Sequence, residues 1–209
     1  MFAQKQPDWP PNNYATGFVF YHGPSGLEPE LEAFIENGDP PLGLALGSTA
    51  VMEPGRLIET FVQAAKRVGR RAVIQVGAEQ RTSYASRQTK DLFVAWYVPY
   101  GSLMPRAGCI VHAGGVGTTA QAMRSGRPML VVPSCNDQLD NADHVRRLGI
   151  ARSAAPPRWA PWSRRAAGAR PDGRSAVRVK RSLCYLSAQS CVLPKQGTNV
   201  GFSANYRCR

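Results

Sequence analysis

The 209-residue sequence lacks any apolar run near the ~20 residues that cross a bilayer. Its opening, MFAQKQPDWPPNNYATG, lacks the charged-then-apolar layout of a secretory signal. Together these absences predict a soluble cytoplasmic protein, peripheral to a membrane at most. Cysteine is sparse and unpatterned: Cys109, Cys135, Cys184, Cys191 and Cys208 are odd in number and form no CxxC. Reduced thiols are expected, with neither a zinc site nor a disulfide framework. No cluster with metal-ligand spacing occurs, so no metal is expected.

Acidic residues are also few, 14 against 26 Lys and Arg, for a net charge of +12. The imbalance is local. Residues 153–209 hold eleven of the bases and a single acid, Asp172, whereas the first 152 residues are nearly balanced. A phosphate-backbone binder carries its basic surface on the folded domain. No specific nucleic acid partner is therefore expected. At 43% hydrophobic and 19% charged residues, the chain reads as globular.

Three segments follow from the pattern. Residues 1–41 form a linker-like approach, with loop signals at PDWPPNN and GDPPLG. Between them, GFVFYH reads as a short strand and LEPELEAFIENG as a short acidic helix ended by Gly38. Residues 42–152 alternate apolar runs (42–46, 72–76, 92–96, 109–112 and 129–132) with helical patterns. The longest helical patterns begin at Pro54 and Asp137, and a shorter one covers 118–124. Continuous apolar runs separated by helices imply an α/β fold: a Rossmann-like parallel sheet with helices on both faces. Ser48, Tyr97, His112 and residues 133–138 each follow a run. They should gather on the rim at the carboxyl ends of the strands, where such sheets bind ligands. Residues 153–209, rich in Ala, Arg, Pro and Gly, show no lasting periodicity and read as an irregular, poorly ordered basic tail.

The densest chemistry is His112-Ala-Gly-Gly-Val-Gly-Thr-Thr119, where a run ends, glycines follow and a helix begins. Glycines let a ligand approach the backbone. The first helical N–H groups lack internal acceptors and suit a diphosphate. Thr118 and Thr119 add hydroxyls. His112 can donate a ring N–H, and its pKa should rise beside a bound anion. The loop is not a P-loop, because the Lys-Ser/Thr ending is missing. Read alone, it is also compatible with a plain turn, and His112 with a satisfied structural histidine.

The continuation, HAGGVGTTAQAMRSGRPMLVVPSCNDQLDNADHVRRLGIAR, closely resembles the donor signature of the GT-B nucleotide-sugar glycosyltransferases. The likeness is greatest to the bacterial sterol, macrolide and vancomycin-type glucosyltransferases. The matching positions are His112, Gly114, Gly115, Gly117 and Thr118; Gly126 and Pro128; and Pro133, Asp137, Gln138, Asn141 and Ala142. PDWPPNNYATGFVF resembles the interdomain linker of that family, and LGLALGST its first strand and Gly-Ser turn.

The resemblance implies the C-terminal half of a GT-B fold, with residues 42–152 binding the nucleotide sugar. It implies Gly47 and Ser48 near the phosphates, Tyr97 stacking on the base and Val98 bonding the base through its backbone. His112, Gly114, Gly115, Gly117, Thr118 and Thr119 would hold the diphosphate, and Asp137 and Gln138 the sugar hydroxyls. Asp137 read without the resemblance is also a helix cap. Plant members carry a ribose-binding Glu where this chain has Ala120, with Gln121 beside it.

The implied activity is inverting hexosyl transfer from a UDP-sugar (UDP-glucose first, by the same likeness) or dTDP-sugar donor to a hydroxyl of a small-molecule or lipid acceptor. The nucleotide sugar is a substrate, and no cofactor is implied. The family's catalytic base belongs to an N-terminal domain this sequence lacks, so no catalytic residue is assigned here; His22 and His144 do not match it. Two alternatives stay open: a donor-binding subunit that needs a separate acceptor-domain chain, and an inactive truncated remnant.

Overall fold

The computed structural model describes residues 7–21, 23, 25–47, 54–77 and 80–154. Six short strands form one parallel sheet: β1 (Leu42–Ala45), β2 (Ala72–Gln75), β3 (Leu92–Ala95), β4 (Cys109–His112), β5 (Met129–Val131) and β6 (Ala151–Ser153). Their order is β3-β2-β1-β4-β5-β6. Helix α1 (Pro29–Glu36) precedes β1, and α2 (Pro54–Arg67), α3 (Arg81–Ala85), α4 (Tyr100–Leu103), α5 (Val116–Arg124) and α6 (Gln138–Arg147) each follow one strand and lead to the next.

Side chains alternate across each strand, and here both alternating sets are apolar. One face carries Leu42, Leu44, Ile74, Cys109, Val111 and Leu130, which pack in one cluster with Ile58, Phe61 and Ala65 of α2. The other face meets two groups of helices. Ile110, Met129 and Val131 join Ala122 of α5 with Ala142 and Val145 of α6. Val73, Phe93 and Ala95 join Leu31 and Ile35 of α1. Burial on both faces explains why the runs read as continuous apolar segments.

Helix α1 starts with Pro29 at a first-turn position and places Glu30 and Glu32 near its positive end. Its C-terminal carbonyls are gathered by Arg71. That guanidinium donates to the carbonyls of Phe34, Ile35 and Asp39, the last at 2.6 Å, and lies 4.6 Å from the Phe34 ring centre. A second tie, the Arg106–Glu32 ion pair, joins α1 to the turn after α4.

Three differences from the sequence pattern stand out. Residues 17–21 of the expected GFVFYH strand enter no ladder; His22 lies outside the described residues. Phe18 and Phe20 meet edge to face at 6.3 Å, while Val19 and Tyr21 stay exposed, so no continuous face is buried. The segment instead touches α5: Arg124 sits 5.0 Å over the Phe20 ring, and Gln121 donates to the Tyr21 carbonyl at 3.1 Å. Strand β6 lies where the pattern was already fading. The Ala154 amide extends its pairing to the Val131 carbonyl at 2.8 Å. Helices α3 and α4 are too short to show a period. The basic tail expected from 153 onward lies, beyond residue 154, outside the described residues.

Replacing Arg71 with Met keeps the aliphatic stem but strips three carbonyls of their donor. Urea titration should show a loss of about 1–3 kcal/mol. An unchanged midpoint would mean that the apolar face and the Arg106 pair hold α1 without Arg71.

Candidate functional site

The strand order reverses direction between β1 and β4. The chain leaves β1 toward α2 on one face and leaves β4 toward α5 on the other. A crevice opens at such a switch point. Gly47 follows β1 on its near side, and a Cβ added there would lie 3.6 Å from Thr118 Oγ1. The two loops therefore meet across the crevice. Ser48 lies outside the described residues.

Helix α5 begins without a side-chain cap, because Gly115 occupies the cap position. The Thr119 amide makes the first helical bond, to the Gly115 carbonyl at 2.9 Å. The amides of Val116, Gly117 and Thr118 precede it and have no intrahelical acceptor. A Cβ on Gly115 or Gly117 would meet nothing within 4 Å. The side-chain side of both glycines is therefore open, and the three amides carry the positive end of the helix dipole. Thr119 sits differently. Its side chain is fully buried and its hydroxyl donates back to the Gly115 carbonyl at 3.0 Å. The structure thus gives Thr119 a bond inside the helix and leaves Thr118 at the cradle.

Gly114 has a different task from its neighbours. Its φ of +96° disfavours any side chain, and an added Cβ would lie 2.9 Å from Val131 Cγ1 and 3.0 Å from the Gln138 carbonyl oxygen. It is packed, where Gly115 and Gly117 are open. Its amide donates to His112 Nδ1 at 3.1 Å. An amide is a donor, so Nδ1 must be the bare ring nitrogen, and the imidazole proton sits on Nε2. Nε2 is buried with no partner among the described residues. Burial holds the His112 pKa down at about 4, against 6.5 for a free imidazole. The expected rise beside an anion therefore starts from a neutral, buried ring. A ligand reaches Nε2–H only when the shell above it parts. In the same transverse row, two strands away, Gln75 Oε1 is likewise buried without a partner.

After β5, Asn136 takes a φ of 51° and turns the chain into α6. Asp137 stands at the cap position of α6 but makes no capping bond. The helix-cap reading of this carboxylate does not hold. Its Oδ2 accepts from Asn141 Nδ2 at 2.7 Å, and the residue is exposed. Gln138 is buried, and its Oε1 accepts from the amides of Ser134 and Cys135 and from the Ser134 hydroxyl. That oxygen is committed to holding the 134–135 turn. Asn141 also donates to the Gly114 carbonyl at 2.9 Å. Sequence reasoning had Asn141 as a motif match without a role; its spacing of four from Asp137, one helical turn, was the available signal.

Tyr97 is 46% exposed and Trp96 42%, so two aromatic faces stand at the end of β3. The Val98 side chain is buried with Ala95 and Leu103. Tyr100 reaches back toward the Leu46 carbonyl at 3.5 Å, and burial pushes its phenol up to about 12, so it stays a donor. Ala120 is buried, and Gln121 donates to the Tyr21 carbonyl. His144 pairs with Asp140 on α6. Cys109 and Cys135 are free thiols, and burial raises that of Cys109 to about 12. Among the described residues no three His, Cys, Asp or Glu side chains gather to hold a metal, and no helix is long and apolar enough to cross a membrane. A cavity of about 220 Å³ lies at the opposite end of β2 and β3, lined by Val62, Lys66, Arg70 and Asp91, away from this chemistry.

A parallel sheet in this order, with an uncapped glycine-rich helix start at its switch point, defines a Rossmann-like α/β half. Residues 59–178 match the family described as erythromycin biosynthesis protein CIII-like, C-terminal domain. The chain belongs to that family, the C-terminal domain of GT-B glycosyltransferases. The match runs past Arg152, into the stretch that reads as tail.

The chain is 36% identical over 154 residues to the O-mycaminosyltylonolide 6-deoxyallosyltransferase of Streptomyces fradiae, covering 73% of this chain and 35% of that protein. It is 33% identical over 155 residues to a sterol 3-beta-glucosyltransferase of Arabidopsis thaliana, covering 73% and 24% respectively. It thus spans about a third or less of these relatives. In fold it is similar to a spinosyn rhamnosyltransferase solved with thymidine diphosphate. That TM-score is 0.62 at 23% identity, covering 90% of this chain and 48% of the other.

Two substitutions separate packing from cradle. Gly114→Ala should cost roughly 2–4 kcal/mol in urea unfolding, from strain and overlap. Gly115→Ala, at φ −59° and with open space above, should leave the unfolding midpoint within about 0.5 kcal/mol. Equal losses would refute the division.

His112 predicts a pH effect. Its folded pKa lies below the unfolded value, so on going from pH 7 to 5 the unfolded chain takes up a proton that the folded chain refuses, and stability falls. Relative to His112→Asn, the unaltered chain should lose roughly 2 kcal/mol more over that interval. Parallel curves for the two proteins would show that the ring is not held neutral.

Proposed function

We propose that the chain is the donor-binding half of an inverting glycosyltransferase. It would present a UDP-sugar or dTDP-sugar, with UDP-glucose as first choice, to a hydroxyl of a lipid or small-molecule acceptor. The observation that carries this reading is the start of α5: three amides without acceptors, two glycines under open space and the Nε2–H of His112 together. The names of the relatives support it, since they transfer a deoxysugar or glucose, and a fold neighbour was solved with a nucleoside diphosphate.

In the transfer, the acceptor oxygen bonds to the anomeric carbon as the bond from that carbon to the phosphate oxygen breaks. Negative charge grows on the departing diphosphate. The three amides at the start of α5 would stabilise that charge, and the neutral imidazole N–H would join them once the shell over it has parted on binding. No metal or other cofactor enters this proposal, because these donors meet the charge themselves. Asp137 would accept from sugar hydroxyls through its exposed side, and Tyr97 would stack on the base. The proton of the acceptor hydroxyl needs a base. His144 is turned to its own helix, and in this proposal the base would come from an acceptor domain, carried by the same protein or by a second chain. A cytoplasmic location, peripheral to a membrane where the acceptor is a lipid, completes the proposal. An inactive remnant is the competing reading.

The test is thermal protection. UDP or dTDP at ten times its Kd should stabilise the chain by about 1.4 kcal/mol, a rise of a few degrees in Tm. His112→Ala should remove most of that rise. No protection by either nucleotide at millimolar concentration would count against donor binding altogether.

A further inference from the structure

A line of hydrogen bonds joins the two ends of the site. Asp137 Oδ2 accepts from Asn141 Nδ2, and the same nitrogen donates to the Gly114 carbonyl. The Gly114 amide then donates to His112 Nδ1. The distances are 2.7, 2.9 and 3.1 Å. Asn141 is 6% exposed. Its single amide nitrogen thus spends both protons on two residues 23 positions apart in sequence, Gly114 and Asp137.

The chemistry of that nitrogen is specific. Both partners are acceptors, one a carbonyl and one a carboxylate, so only a side chain with two donors on one atom serves both. Aspartate has the same shape but would face them with oxygens. Serine offers one proton. Asp137 makes no capping bond, so its one described hydrogen bond sets which way the carboxylate faces. Gly114 is confined by Val131 and Gln138 on its side-chain side, and Asn141 fixes its carbonyl.

We propose that Asn141 is a positioning residue that couples sugar recognition to diphosphate recognition, holding the Asp137 carboxylate in register with the glycine loop that orients His112. This rests on the donor-binding reading above. Asn141 touches no substrate. It makes one rigid unit of a carboxylate from the β5–α6 turn and an imidazole from β4. A charge-assisted hydrogen bond from a sugar hydroxyl to Asp137 then adds its full strength to a diphosphate already seated, because little reorientation remains to be done.

The experiment compares the affinity of a nucleotide sugar with that of its bare nucleotide by calorimetry. UDP-glucose and UDP serve, or dTDP-glucose and dTDP if melting shows those to bind better. In the unaltered chain the sugar should tighten binding by about tenfold or more, the worth of one charged hydrogen bond. Asp137→Ala should abolish that gain. Asn141→Leu should abolish most of it while weakening the bare nucleotide by less than about threefold. The double variant should be no worse than either single one, since the second change removes a contact already lost. Asn141→Ser, which keeps one donor, carries the same measurement if the leucine variant melts too low.

Equal weakening of nucleotide and nucleotide sugar would overturn the proposal and leave Asn141 a scaffold residue. Losses that multiply in the double variant would overturn it too. Nucleotide binding with no gain from the sugar would remove the role of Asp137 and this inference with it, while sparing the diphosphate site. If neither nucleotide binds, the donor-binding reading falls first.

Discussion

The site depends on how tightly Gly114 is held. Its amide fixes the tautomer of His112, its carbonyl is taken by Asn141, and its missing side chain admits Val131 and the first residue of α6. These constraints turn a flexible residue type into a fixed point. The open glycines beyond it, 115 and 117, can then be generous to a ligand without making the loop vague. A glycine-rich loop is often described by its freedom. Here one glycine is confined so that the others are of use.

Much of the fold was legible because burial on both faces leaves its mark in every second and every first residue alike. Runs at 42–46, 72–76, 92–96, 109–112 and 129–132 contain five strands, and the helical spacing from Pro54 contains α2. What was illegible is short or tied down from afar. Strand β6 pairs with β5 through three residues, one of them Arg152, and reads as polar. GFVFYH looks like a strand because Phe and Val favour one, yet no strand edge takes it, and α5 holds it by a cation over Phe20 and an amide on Tyr21. Local preference says what a segment tolerates, and the partner decides what it becomes.

The site divides the same way. The motif positions do converge after β4 and β5, on the rim where an α/β sheet exposes its strand ends. Residue types alone could not show which of them face outward. Thr118 and Thr119 are adjacent and identical, but one helical step of 100° sends the second into the core, bonded to the turn behind it. Asp137 and Gln138 likewise differ by one position, and Gln138 spends its oxygen on the preceding turn. Asn141 shows the opposite case, a residue that looked like part of a pattern and proves to be its brace.

The neighbourhood of β1 and β4 also bears on how the molecule is made. Ala45 lies beside His112 in the central pair of strands, with the whole of β2 and β3 threaded between them in sequence. Closing that long loop costs entropy before the contact returns anything. On a ribosome the first half of the sheet can form early, but the crevice between β1 and β4 has no second wall until β4 emerges. The candidate ligand crevice and a late folding step therefore share the same seam.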